Sequence, residues 1–136
     1  MSGSRIGCDI IQTDDIASSI AEFGDRYLKR VYTAHELETC AGPAMAQRLA
    51  ARFAAKEATA KVLRSLDAAL PWTNIEVRRE PWGGCSIALH GGAARTARHQ
   101  GLYDLQVSLS HEPGIAMAVV TAAVSAGPVT PSTESA

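Results

Sequence analysis

The feature that most constrains this chain is one long stretch of strong helix propensity, roughly Ala44 to Ser65. It follows the break at Ala41-Gly42-Pro43 and contains few breakers. Pro43 suits the first turn of such a helix. Leu49, Phe53, Ala60 and Leu63 are its expected core-facing positions. Arg48, Arg52 and Lys56 recur every four residues, so they share one stripe. Glu57 and Lys61 share the neighbouring stripe. Cations beside a carboxylate paired with a lysine suit a polyanion and its metal ion. Phosphate chemistry is therefore the first function class to weigh.

The rest of the chain supplies strands and shorter helices. Arg5 to Ile11 predicts a strand with Ile6, Cys8 and Ile10 on one face and Gly7, Asp9 and Ile11 on the other. Thr13-Asp14-Asp15 predicts the start of a helix running to about Phe23. Asp25 to Val31 is a second helical piece, with Arg26, Lys29 and Arg30 clustered on one side. Thr33-Ala34-His35-Glu36 matches a capping box. Trp72 to Arg79 and Cys85 to His90 flank the turn Pro81-Trp82-Gly83-Gly84 and predict a hairpin. A short basic helix over Gly92 to His99 precedes strands at Leu105 to Ser110 and Ile115 to Val124. No regular βαβ alternation is present, which indicates an α+β fold. Residues 1–124 form the expected single domain. The Gly-, Pro-, Ser- and Thr-rich tail 125–136 has the composition of a disordered segment.

Totals bound the function. At 136 residues the chain suits one modest core, and its net charge of −1 supplies no global field for nucleic acid or an acidic membrane. Neither is an expected partner. Cys8, Cys40 and Cys85 are odd in number and scattered, which fits reduced thiols in the cytoplasm. Ile115 to Val124 is too short to span a bilayer, and the N-terminus lacks a signal-peptide pattern.

Several side chains could carry chemistry. Asp9 lies in an apolar strand and needs a partner or an exposed edge. With Glu57 it would make a two-carboxylate site of the kind magnesium uses beside phosphate oxygens and water. A solvated Glu57–Lys61 ion pair is the plainer alternative, and the arginine stripe can equally be a wet helix face. Ser108-Leu109-Ser110-His111 enters a Pro-Gly turn. Sequence adjacency of Ser and His is not triad geometry, and a phosphate-binding turn is the better reading. No nucleophile elbow, P-loop or dinucleotide fingerprint occurs.

Taken together, four segments resemble the holo-acyl-carrier-protein synthase family of small phosphopantetheinyl transferases. They are Ile6-Gly7-Cys8-Asp9-Ile10, Arg52-Phe53-Ala54-Ala55-Lys56-Glu57-Ala58 with Lys61, Trp72-Thr73-Asn74-Ile75-Glu76-Val77, and Val107-Ser108-Leu109-Ser110-His111. The resemblance covers roughly residues 5–122. It implies one long central helix packed on a small, mainly antiparallel sheet. It also implies magnesium-dependent transfer of the 4'-phosphopantetheine arm of coenzyme A to a serine of an apo acyl carrier protein.

In that frame Asp9 and Glu57 hold magnesium and, with Lys61, form the catalytic set. Arg48, Arg52, Lys56, Lys61 and His111 bind coenzyme A, with Arg52 on the 3'-phosphate. Arg26, Lys29 and Arg30 are then a candidate docking surface for the acidic carrier, with a solvated helix face as the plainer alternative. A homotrimer with active sites between subunits is implied as well. Two departures stand out: Ala44 occupies a place often basic in the family, and Cys85 stands where the hairpin usually has proline. The competing readings are a non-catalytic coenzyme A or nucleotide-binding module and a structural protein with an incidental charged helix.

Overall fold

A computed structural model describes residues 3–64 and 70–126. The chain runs β1 (Gly3–Gln12), α1 (Thr13–Phe23), α2 (Asp25–Val31), α3 (Ala34–Cys40), α4 (Met45–Leu63), β2 (Ile75–Arg79), β3 (Cys85–Leu89), α5 (Gly91–His99), β4 (Leu102–Glu112) and β5 (Ile115–Val124). Strands β1, β5 and β4 form an antiparallel sheet in that spatial order, and β2 and β3 form a separate antiparallel hairpin lying against β4. Helix α4 packs across one face of the three-stranded sheet. The α+β architecture with a long central helix is the one expected.

Small side chains make that packing close. Along β5, Ala116, Ala118, Val120 and Ala122 are buried and alternate with more exposed residues, as a strand covered on one face requires. Opposite them α4 buries Ala50, Ala51, Ala54, Ala55 and Ala58. Leu49 and Leu63 are buried as expected, whereas Phe53 and Ala60 are only partly covered. Phe53 meets Trp72 edge-on, with ring centroids 5.2 Å apart.

Among the described residues, nothing covers the other face of the sheet. The register puts Ile6 opposite Thr121, Ile10 opposite Met117 and Tyr103 opposite Ala123, all pointing away from α4. Ile6 and Ile10 are 71% and 58% exposed, and Met117 and Tyr103 are exposed too. Strand β1 thus turns Ile6 and Ile10 outward and keeps Gly7, Asp9 and Ile11 toward the helix.

Most sequence boundaries hold within a residue or two, with local corrections. Trp72–Asn74 forms a 3-10 turn, so the first hairpin strand begins only at Ile75. Helix α4 ends at Leu63 because Arg64 adopts a left-handed conformation, φ 53°. Its last carbonyls are taken by other elements: Arg5 donates to Val62 O at 3.0 Å and Gln100 donates to Leu63 O at 2.9 Å. Of the expected tail, residues 127–136 lie outside the described residues.

Candidate active site

Gly7 sets the geometry. A Cβ at this position would stand 2.3 Å from the carbonyl oxygen of Ala58, so only glycine lets β1 lie this close to α4. That approach carries Asp9, two residues along the same strand face, to the helix side chains one turn apart at Glu57 and Lys61. Lys61 Nζ reaches Asp9 Oδ1 at 3.2 Å and donates to the Cys8 carbonyl at 2.9 Å. The lysine therefore crosses to the strand rather than closing the helical Glu57–Lys61 pair the spacing suggested. Burial and the neighbouring Asp9 carboxylate push the Glu57 carboxyl above the usual range, and Lys61 partly opposes them.

This donor set suits a hard divalent cation. Two carboxylates repel each other here with one lysine as countercharge, and both offer oxygen ligands. Among the described residues no group of three or more His, Cys, Asp or Glu side chains is gathered. A cation held by Asp9 and Glu57 would thus complete its shell with water and substrate oxygens.

The arginine stripe is not one surface. Arg48 is exposed, with its guanidinium 3.5 Å from the Ala41 carbonyl, a weak contact. Arg52 is only 6% exposed, and its Nε has no hydrogen-bond partner among the described residues. It lines a cavity of about 320 Å3 together with Arg79, Trp82, Gly84, Cys85 and Ser108. Lys56 is fully buried, which corrects its placement on an anion-binding face. Its Nζ pairs with Glu36 Oε1 at 2.9 Å and donates to the carbonyls of Trp72, at 3.1 Å, and Ile75. Burial pushes the Lys56 ammonium below the usual lysine range, and Glu36 opposes that shift.

Glu36 is the hub of this interior. The expected capping box is present: Thr33 Oγ1 accepts from the Glu36 amide at 3.2 Å, and Glu36 Oε1 accepts from the Thr33 amide at 2.8 Å. The other carboxylate oxygen accepts from the Val77 amide at 2.7 Å. The capping box was legible; the buried ion pair that uses the same glutamate was not.

Two clusters therefore stand apart. Asp9, Glu57 and Lys61 meet at the β1 side of the sheet. Arg52 and its cavity lie toward β4, the opposite outer strand, where His111 is also exposed near the strand end. A third region lies on α1 and α2. Arg26 and Arg30 line a cavity of about 410 Å3 with Phe23 and Tyr27. The Arg26 guanidinium sits 5.7 Å from the Phe23 ring centroid, and Lys29 is exposed nearby on the same helix. Sequence reasoning missed the close approach at Gly7 and the cavity roles of Arg79 and Trp82. The Trp-Gly-Gly run was visible but read only as a turn.

Comparison with known proteins gives one answer. A family model described as the 4'-phosphopantetheinyl transferase superfamily matches residues 5–120. A holo-[acyl-carrier-protein] synthase of Koribacter versatilis is 42% identical over 116 residues, covering 84% of this chain and 93% of that protein. One from Desulforudis audaxviator is 39% identical over 124 residues, covering 90% and 92%. The crystal structure of the Helicobacter pylori holo-[acyl-carrier-protein] synthase in complex with coenzyme A superposes with a TM-score of 0.76 at 27% identity, covering 87% of this chain and 99% of that one. With the matched segments spanning the strand, the central helix and both clusters just described, the chain belongs to the holo-acyl-carrier-protein synthase family of the 4'-phosphopantetheinyl transferase superfamily.

Proposed function

We propose that the protein transfers the 4'-phosphopantetheine arm of coenzyme A to a serine hydroxyl of an apo acyl carrier protein, in a magnesium-dependent reaction in the cytoplasm. The observation that carries this reading is the meeting of Asp9, Glu57 and Lys61 across β1 and α4. The serine oxygen bonds to the β-phosphorus of the pyrophosphate, the bond to adenosine 3',5'-bisphosphate breaks, and the serine proton is lost. Asp9 and Glu57 would hold magnesium. When bound there, the ion supplies charge neutralisation for the pyrophosphate and its leaving group.

The other side chains bind and orient. Lys61 offers a cation to the phosphates beside the two carboxylates. Arg52, buried with an unpartnered Nε, offers a planar fork to the 3'-phosphate. His111 and Arg48 are exposed and contact the nucleotide portion of coenzyme A. Phe23, Arg26 and Arg30, with Lys29, present an apolar and basic surface to an acidic carrier, an attraction that salt weakens.

The separation of the two clusters supports a shared site. Asp9 and Arg52 lie toward opposite outer strands of the sheet, so one coenzyme A meets both sets most readily between two chains. The open apolar face of Ile6, Ile10, Tyr103 and Met117 offers the contact surface for a homotrimer. Sedimentation equilibrium should return three times the 14.3 kDa chain mass; a monomer would remove this part of the reading.

Intact-mass spectrometry tests the reaction itself. An apo carrier incubated with the protein, coenzyme A and magnesium should gain one phosphopantetheine arm, and only with the metal present. No gain across fatty-acid, polyketide and peptide-synthetase carriers, with coenzyme A still bound, would leave a binding module instead.

A further inference from the structure

Six large hydrophobic side chains are exposed among the described residues: Ile6, Ile10, Phe23, Trp82, Tyr103 and Met117. Four of them stand on the open sheet face and Phe23 belongs to the basic surface of α1 and α2. Trp82 alone has no part in either. It is 74% exposed at the tip of the β2–β3 hairpin, and exposing an indole to water has a cost that a turn residue does not require.

Its setting points to a ligand. The six-membered part of the indole lies directly against Gly84, where a Cβ would stand 1.9 Å from the ring. The ring is thereby seated against the backbone of the turn while most of its surface stays exposed. Trp82 and Gly84 line the same cavity as Arg52, whose buried Nε lacks a partner, and the exposed Arg79. A flat aromatic wall beside two guanidinium groups is the chemistry that recognises a nucleotide: the base stacks and the phosphate takes the arginine forks.

We infer that Trp82, seated on Gly84, is a specificity-determining residue that stacks on the purine base of the nucleotide held by Arg52. The inference rests on the reading of Arg52 as a phosphate ligand. It adds that the base end of the substrate is read by an aromatic wall on the hairpin tip. Because the ring is positioned by the absence of a Cβ at residue 84, the wall depends on Gly84 as much as on Trp82.

The test compares Trp82→Ala, Trp82→Phe and Gly84→Ala with the unmodified chain at one protein concentration. Calorimetry measures the affinity of each for adenosine 3',5'-bisphosphate and for base-free inorganic pyrophosphate. Trp82→Ala and Gly84→Ala should weaken bisphosphate binding about tenfold, within the range of base–aromatic stacking. Trp82→Phe should recover most of it, and pyrophosphate binding should be the same in all four proteins. In turnover, Trp82→Ala should raise the KM for coenzyme A about tenfold while kcat changes less than about twofold. Bisphosphate affinity indifferent to Trp82→Ala would overturn the inference, and carrier modification by the unmodified chain would then leave the transferase reading intact. Trp82-dependent binding without carrier modification would remove the transferase reading and uphold the aromatic wall.

Discussion

Lys56→Met separates an interior role from a phosphate-binding role for this lysine. In the structure both Lys56 and Glu36 side chains are fully buried, 2.9 Å apart, and the same ammonium serves two backbone carbonyls. Methionine matches the length of the stem but leaves the Glu36 carboxylate without its countercharge. Removing one partner of a buried pair costs about 3–5 kcal/mol. For a chain of this size that corresponds to a fall in Tm of roughly 10–15 °C. Glu36→Gln with Lys56→Met should recover part of the loss, because the amide oxygen can still accept from Val77 or Thr33. A coupling energy of about 1–3 kcal/mol is expected from the cycle. Thermal and urea unfolding at fixed protein concentration measure it, since any self-association would make Tm depend on concentration. A single variant that loses less than about 1 kcal/mol while losing coenzyme A binding would refute this argument. It would put Lys56 back on the ligand.

Three further outcomes follow from the site and its frame. Asp9→Ala and Glu57→Ala should each lower magnesium-dependent carrier modification more than about a hundredfold while far-UV circular dichroism stays native; near-normal turnover in either would remove the metal assignment. Arg52→Ala should raise the KM for coenzyme A about tenfold or more, with a much smaller effect on the analogue lacking the 3'-phosphate, as expected for loss of a charge-assisted contact. Equal losses on the two substrates would sink the 3'-phosphate role. Burial raises the Glu76 carboxyl, but hydrogen bonds from Thr33, His90 and Arg78 outweigh it and hold the group below its ordinary value of about 4.5. A depressed carboxylate stabilises the fold above that pH and stops doing so as pH falls through its folded value. Glu76→Gln should therefore unfold more easily than the parent at neutral pH, and the gap in Tm should close below about pH 4.5.

The elements were legible where one local signal decides them. The capping box placed the start of α3, alternation placed β1, a short continuous apolar run placed β5, and the Trp-Gly-Gly turn placed the β2–β3 hairpin. Helix α4 was legible in extent but not in orientation. It is covered on several sides by the sheet, the hairpin and α3, so no apolar stripe marks its core face. Four-residue spacing then put Arg48, Arg52 and Lys56 on one stripe without revealing that the stripe descends from solvent into the interior. The Asp9–Glu57–Lys61 cluster joins residues 48 or more positions apart, measured from Asp9 to Glu57. Periodicity cannot see such a meeting; carboxylate chemistry suggested the Asp9–Glu57 pair, and the family resemblance added Lys61 to it. The reason it can form, the missing Cβ at Gly7, is a property of two packed backbones and leaves no trace in either segment alone.

The end of α4 has a consequence for time rather than for geometry. Helix ends ordinarily fray because their last carbonyls face water. Here Arg5 and Gln100 hold Val62 and Leu63, and Lys61 itself grips the Cys8 carbonyl. The last turn cannot loosen unless β1 and α5 let go with it. Amide protons there exchange through a shared, infrequent opening instead of local flicker. Lys61 thus sits in a turn of α4 tied to both β1 and the end of α5, and its position is kept by those elements as well as by the helix that carries it.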